Sequence, residues 1–105
     1  MHQLQAIQGF FSAIADDPRI NTTHISLYMA LLKIWGERQF QNPFRVFSYE
    51  VMPVCKISGI ATYHKSIREL HQYGYIRYVP SYYRLTGSMV SIIRMEKGWT
   101  HYKYR

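Results

Sequence analysis

Apolar residues near the start of the chain recur at helical spacing: Leu4, Ile7, Phe11 and Ile14 step by three and four, with Phe10 beside them. This predicts an amphipathic helix over about residues 2–15, ended by Asp16, Asp17 and Pro18. A second helix is expected to start at Thr22 or Thr23, either of which suits an N-cap, and to run to about Arg38. Its apolar positions fall on two stripes, Ile25, Tyr28, Met29, Leu32 and Trp35 on one and Leu27, Leu31 and Ile34 on the other, so burial on most sides is expected. Gly36 weakens its last turn, and Asn42-Pro43 opposes continuation. Phe44 to Phe47 alternates around Arg45 and predicts a short strand. Ser48 then suits an N-cap, with Glu50 in the first turn of a helix reaching about Lys56, whose inner face is Val51, Met52, Val54 and Cys55.

The stretch from Ser58 to Ile76 reads as a turn, a helix, a glycine stop and the start of a strand. Tyr63, Ile67 and Leu70 form one apolar stripe of a helix over about residues 60–73, and Thr62, His64, Lys65, Ser66, Arg68 and Glu69 form its polar face. Ser58 or Gly59 can cap its start, and Gly74 suits a left-handed residue after its end. Tyr75 to Val79 and Met89 to Met95 are alternating segments joined by a turn-rich loop over 80–88, which predicts a β-hairpin. The fold class is therefore mostly α with a small β-hairpin, that is, α+β. Residues 1–21 form an N-terminal helix and turn, 22–95 the main domain, and 96–105 a basic, aromatic tail.

Charge changes the picture. Thirteen Lys and Arg against six Asp and Glu leave a formal net charge of +7, which favours a polyanionic partner. Asp16, Asp17, Glu37 and Glu50 precede the helix at 60–73, whereas Lys65, Arg68, Arg77, Arg84, Arg94, Lys97, Lys103 and Arg105 lie in or after it. The single cysteine, Cys55, excludes an intramolecular disulfide and reads as a small buried hydrophobe. No apolar run approaches a membrane span and no cleavable signal opens the chain, so a cytoplasmic, nucleoid-associated protein is expected.

A helix-turn-helix followed by a hairpin is the order of a winged helix-turn-helix, here with an extra N-terminal helix. From Ser48 to Met95 the chain resembles the winged-helix domains of bacterial GntR-type and MarR-type regulators. The resemblance lies in Ala61-Thr62-Tyr63-His64-Lys65 followed by Ile67, Glu69-Leu70, Gly74 and Ile76. The longer stretch from Ile25 through Asn42-Pro43-Phe44 to the hairpin is also similar to the N-terminal domains of DnaD-like replication-initiation proteins and to small winged-helix proteins of bacterial mobile elements. The resemblance implies that Thr62, His64 and Lys65 face DNA, with Arg68 one turn further on, and that Tyr63, Ile67 and Leu70 belong to the core. In the wing, Tyr83 and Arg84 are placed to reach phosphates or the minor groove.

An enzyme needs a nucleophile with a base, a carboxylate pair or a set of metal ligands, and none stands out. His64 and His71 with Cys55 lack the spacing of a metal site, so neither metal nor cofactor is expected; His71 instead suits the helix C-terminus as a cationic ring. Tyr73, Tyr75, Tyr78, Tyr82 and Tyr83, interleaved with Arg77 and Arg84, offer a stacking platform for single strands if they share an exposed face. A winged helix that binds another protein is the remaining alternative. The favoured expectation is a non-enzymatic, homodimeric binder of double-stranded DNA, serving transcription regulation, replication initiation or a mobile element. No membrane association and no small-molecule effector are expected.

Overall fold

The computed structural model describes residues 2–81, 83 and 86–93. Its elements follow the expected order: α1 (His2–Ile14), α2 (Thr22–Glu37), β1 (Phe44–Val46), α3 (Ser48–Cys55), α4 (Ile60–Gln72), β2 (Ile76–Val79) and β3 (Ser88–Ile92). The fold is α+β, with four helices and one antiparallel sheet among the described residues. The sheet order is β1-β3-β2, so the last strand lies in the middle. Tyr78 and Phe44 both pair with Val90, while Val79 and Arg45 both pair with Met89.

Strand alternation sends Phe44, Val46, Ile76, Tyr78, Val90 and Ile92 to the inner face, where all are buried. The core they cover is built on α2, which buries Leu27, Tyr28, Ala30, Leu31, Leu32, Ile34 and Trp35, as its two apolar stripes require. Ile25 and Met29 are only partly buried. The sheet end opposite the hairpin loop is fastened by Asn42, whose side chain imitates a strand partner: Nδ2 donates to the Ile92 carbonyl at 3.1 Å and Oδ1 accepts from the Ile92 amide at 3.0 Å. A central strand loses its ladder where β1 ends, and this amide side chain satisfies both groups.

Several local expectations are corrected. Asn21, rather than Thr22 or Thr23, caps α2: its Oδ1 accepts from the His24 amide at 3.1 Å, and His24 Nδ1 accepts from the Asn21 amide at 3.1 Å. Histidine thus fills the reciprocal role that Glu or Gln takes in a capping box. Ser48 is the first residue of α3, and Phe47, still extended from β1, occupies the N-cap with its amide donating to Glu50 Oε1 at 3.4 Å. The first helix buries Phe10 and Ala13 and leaves Leu4 47% and Phe11 45% exposed. Phe10 turns inward because it stacks on Tyr28, with ring centroids 3.9 Å apart, and meets the edge of Tyr75 at 5.4 Å. The expected strand from Met89 is β3 and ends at Ile92; its expected last residues, 94 and 95, and the tail from 96 to 105 lie outside the described residues.

Candidate nucleic-acid interface

Two short devices hold α4 in place from its ends. At the start, Lys56 adopts a left-handed φ of 63° and closes α3, its amide donating to the Met52 carbonyl. Ile57 drops into the core, and Gly59 is the extended N-cap of α4. At the far end the Tyr75 amide donates to the Leu70 carbonyl at 2.9 Å and the Gly74 amide to the His71 carbonyl at 3.1 Å. Gly74 carries φ +90°, so this is a Schellman stop of the kind its glycine predicts. From there the chain enters β2 directly.

The inner side of α4 is Tyr63, Ser66, Ile67 and Leu70, all buried. Ser66 was expected on the polar face but is buried; at about 100° per residue it lies roughly 40° beyond Leu70, at the edge of the apolar stripe, where a small hydroxyl fits. Burial pushes the Tyr63 phenol up, as befits a core side chain. Ala61, Thr62, Lys65, Arg68 and Gln72 are exposed, and His64 is half-buried. A shallow surface depression is lined by Ala61, His64, Lys65, Arg68, Glu69 and Gln72. Three of the four expected contact residues, His64, Lys65 and Arg68, therefore share one surface. Thr62 is exposed but lies off that depression, toward the N-cap.

Charge on this surface is asymmetric. Glu69, the one acid of α4, is turned toward α2: its Oε1 meets the Nε2 of the buried His24 at 2.9 Å, and its Oε2 accepts from Tyr73 Oη at 3.5 Å. Because His24 Nδ1 is already an acceptor for the Asn21 amide, Nε2 is the nitrogen that donates. Lys65 and Arg68 take part in no ion pair among the described residues. Glu69 is thus engaged by His24 and Tyr73, although its side chain also lines the depression, whereas the two cations are exposed.

Behind the C-terminal end of α4 sits a second polar group of side chains. Asp17, 5% exposed, accepts from Tyr75 Oη at 2.6 Å and from Arg19 Nε and Nη2 at 2.8 and 2.9 Å. The Arg19 guanidinium in turn lies 4.2 Å over the Tyr73 ring. The turn between α1 and α2 is thereby bonded to the residues that end α4 and begin β2. None of this was legible in the sequence, since Asp17 and Tyr75 are 58 positions apart.

On the hairpin side, His71 Nδ1 accepts from the Tyr78 amide at 3.0 Å. The ring lies in the last turn of α4, as expected, and serves as an acceptor that ties α4 to β2. Tyr83, at 74% exposure, projects from the loop between β2 and β3. The loop is braced by Arg45 Nη1, which donates to the Thr86 carbonyl, and by Ser81 and Thr86, whose hydroxyls meet. Arg84, the other expected wing contact, lies outside the described residues.

Among the described residues no stacking platform forms; Tyr82 and Arg84 of the expected set lie outside them. Tyr75 and Tyr78 are buried, and Tyr73 lies beneath Arg19. Among the described residues only Tyr83 of that set presents an exposed ring, and successive bases need several. Nor do Cys55, His64 and His71 converge: Cys55 is buried with its thiol pushed up by that burial, and His71 is engaged with β2. No helix among the described residues is long and apolar enough to cross a membrane. Comparison of the chain with protein-family models, with curated proteins and with solved structures gives no match.

Proposed function

We propose that the chain is a winged helix-turn-helix protein that binds double-stranded DNA without catalysing a reaction, α4 lying in the major groove and the 80–87 loop acting as the wing. The observation that carries this reading is the outer face of α4, where Lys65 and Arg68 stand exposed and outside any ion pair among the described residues while Glu69 is held by His24 and Tyr73. Base edges and phosphates are recognised by such unengaged donors on a helix narrow enough to enter the groove. The element order and the β1-β3-β2 sheet support the fold assignment, because they bring a hairpin to the strand that leaves α4. A net charge of +7 supplies the long-range attraction.

The chain works as a homodimer in this reading, joined through the exposed Leu4 and Phe11 of α1, and acts in the cytoplasm on the nucleoid. It regulates transcription or assists replication or a mobile element. Binding of the full chain to fluorescent duplex DNA, followed by anisotropy across a salt series, tests the proposal. Each phosphate neutralised contributes about 0.9 to the slope of log K against log salt, so Lys65→Ala with Arg68→Ala is expected to weaken binding and reduce the slope by up to about 1.8. Unchanged affinity and slope in a folded double variant would remove α4 from the interface. A protein-assembly module is the second reading, favoured by the exposed Tyr49, Val54 and Ile60 on α3 and the start of α4. Absence of DNA binding at low salt would put it first.

A further inference from the structure

On the reading that α4 occupies the major groove, we infer that base recognition is carried by the line Ala61, Lys65, Arg68 and Gln72, and that the sequence read is a pair of G·C steps flanked by A·T. At about 100° per residue these four positions fall within an arc of about 60°. That arc is centred opposite the buried Tyr63, Ser66, Ile67 and Leu70, so it is the part of the helix that goes deepest into a groove. All four side chains are exposed, and all four line the same depression.

Thr62 and His64 stand to either side. Thr62 lies roughly 90° round toward α2, on the side where Glu69 is bonded to His24. His64 lies roughly 70° round the other way, toward His71 and β2, and is half-buried. Side chains at those angles meet the groove walls, where phosphates are, rather than its floor. Glu69 reaches neither, because both of its carboxylate oxygens are engaged within the fold.

The chemistry of the line sets what it reads. Lys and Arg pair with the O6 and N7 acceptors of guanine, Gln pairs with the N6 and N7 of adenine, and a short apolar side chain such as Ala packs on a thymine methyl. Lys65 and Arg68 are separated by a rise of about 4.5 Å, close to one base-pair step of about 3.4 Å, so they address neighbouring pairs. Gln72 lies about 6 Å beyond Arg68, and Ala61 about 6 Å before Lys65, or roughly two steps each way. Ala61 to Gln72 thus spans about five steps. Of the residues expected to face DNA, this assigns Lys65 and Arg68 to bases and Thr62 and His64 to the groove walls, and it adds Gln72 and Ala61 to the interface.

The test is selection of binding sites from random duplex DNA by the full-length protein and by the Lys65→Ala, Arg68→Ala, Gln72→Ala and Thr62→Ala variants, each checked for an unchanged melting temperature. The expected wild-type motif has adjacent guanines between A·T pairs. Arg68→Ala and Lys65→Ala each flatten one guanine position, with a loss of preference of roughly ten- to hundredfold there, and Gln72→Ala flattens an adenine about two steps away. Thr62→Ala leaves the motif intact and lowers affinity evenly. A motif that follows Thr62 and ignores Gln72 overturns the inference while the DNA-binding proposal stands. Salt-dependent binding that enriches no motif overturns it too, leaving a backbone binder. No binding at low salt overturns both.

Discussion

Replacing Asp17 by asparagine asks whether the polar group behind α4 is held by charge. Burial by itself pushes this carboxyl up, but the hydrogen bonds from Arg19 and Tyr75 outweigh it and hold the group well below the ordinary carboxylate range. Asparagine keeps the shape, withdraws the charge, and turns an NH2 toward one of the donors. Hydrogen bonds to charged groups contribute about 1.5–3 kcal/mol each, and unpaired buried donors cost a similar amount. Arg19 remains 33% exposed and can turn to water, so most of the loss falls on the fully buried Tyr75 hydroxyl. A loss of about 2 kcal/mol at pH 7 is expected, or a fall in melting temperature of about 8–15 °C for a domain of this size. A carboxyl whose folded pKa is depressed stabilises fully above its unfolded value of about 3.9, and that stabilisation fades as pH falls toward the folded value, at about 1.4 kcal/mol per pH unit. The gap between wild type and Asp17→Asn should therefore be constant from pH 7 to about 5 and narrow by about 1 kcal/mol at pH 3. Urea unfolding of both proteins at pH 7, 5 and 3 measures it, and the difference isolates Asp17 because the other carboxylates are common to both. A gap that is the same at pH 3 as at pH 7, or no gap at pH 7, would refute the account.

Three further outcomes are expected. Gly87→Ala should cost about 1–3 kcal/mol in a thermal melt, because φ is +68° and an added Cβ would lie 2.8 Å from the Val46 carbonyl oxygen and 2.9 Å from Phe47 Cε1; a neutral effect would contradict the close packing of the hairpin loop on β1. Tyr28→Phe should raise stability by about 1 kcal/mol, since the buried hydroxyl has no hydrogen-bond partner among the described residues and the ring stack on Phe10 is kept, whereas a loss would reveal a partner for that hydroxyl. If α1 joins two copies, Leu4→Asp with Phe11→Asp should yield a folded monomer in sedimentation at tens of micromolar, and a wild-type monomer at that concentration counts against the dimer.

What periodicity and turn chemistry express, the chain states locally. The α1 to α4 succession, the short β1, the hairpin, the stop at Gly74 and the stripe of Tyr63, Ile67 and Leu70 all depend on contacts within about four residues, so the order of amino acids carries them. The exposed cations Lys65 and Arg68 were legible for the same reason: a helix with one apolar stripe must turn the opposite side outward. Other features turned on partners remote in sequence. Periodicity locates an apolar face only to about one residue, so Phe10 rather than Phe11 faces inward because Tyr28 and Tyr75 are there to receive it. Asn21 prevailed over the threonines as a cap because His24 returns its bond. Tyr75 and Tyr78 are equally plausible as stacking rings or core until the sheet settles on α2 and α4, at which point hydrophobic burial takes both. The arrangement of charge on the outer face of α4 is likewise a tertiary product: Glu69 belongs to that helix in sequence, and its bond to His24 across 45 residues draws the carboxylate toward α2 rather than toward Lys65 or Arg68.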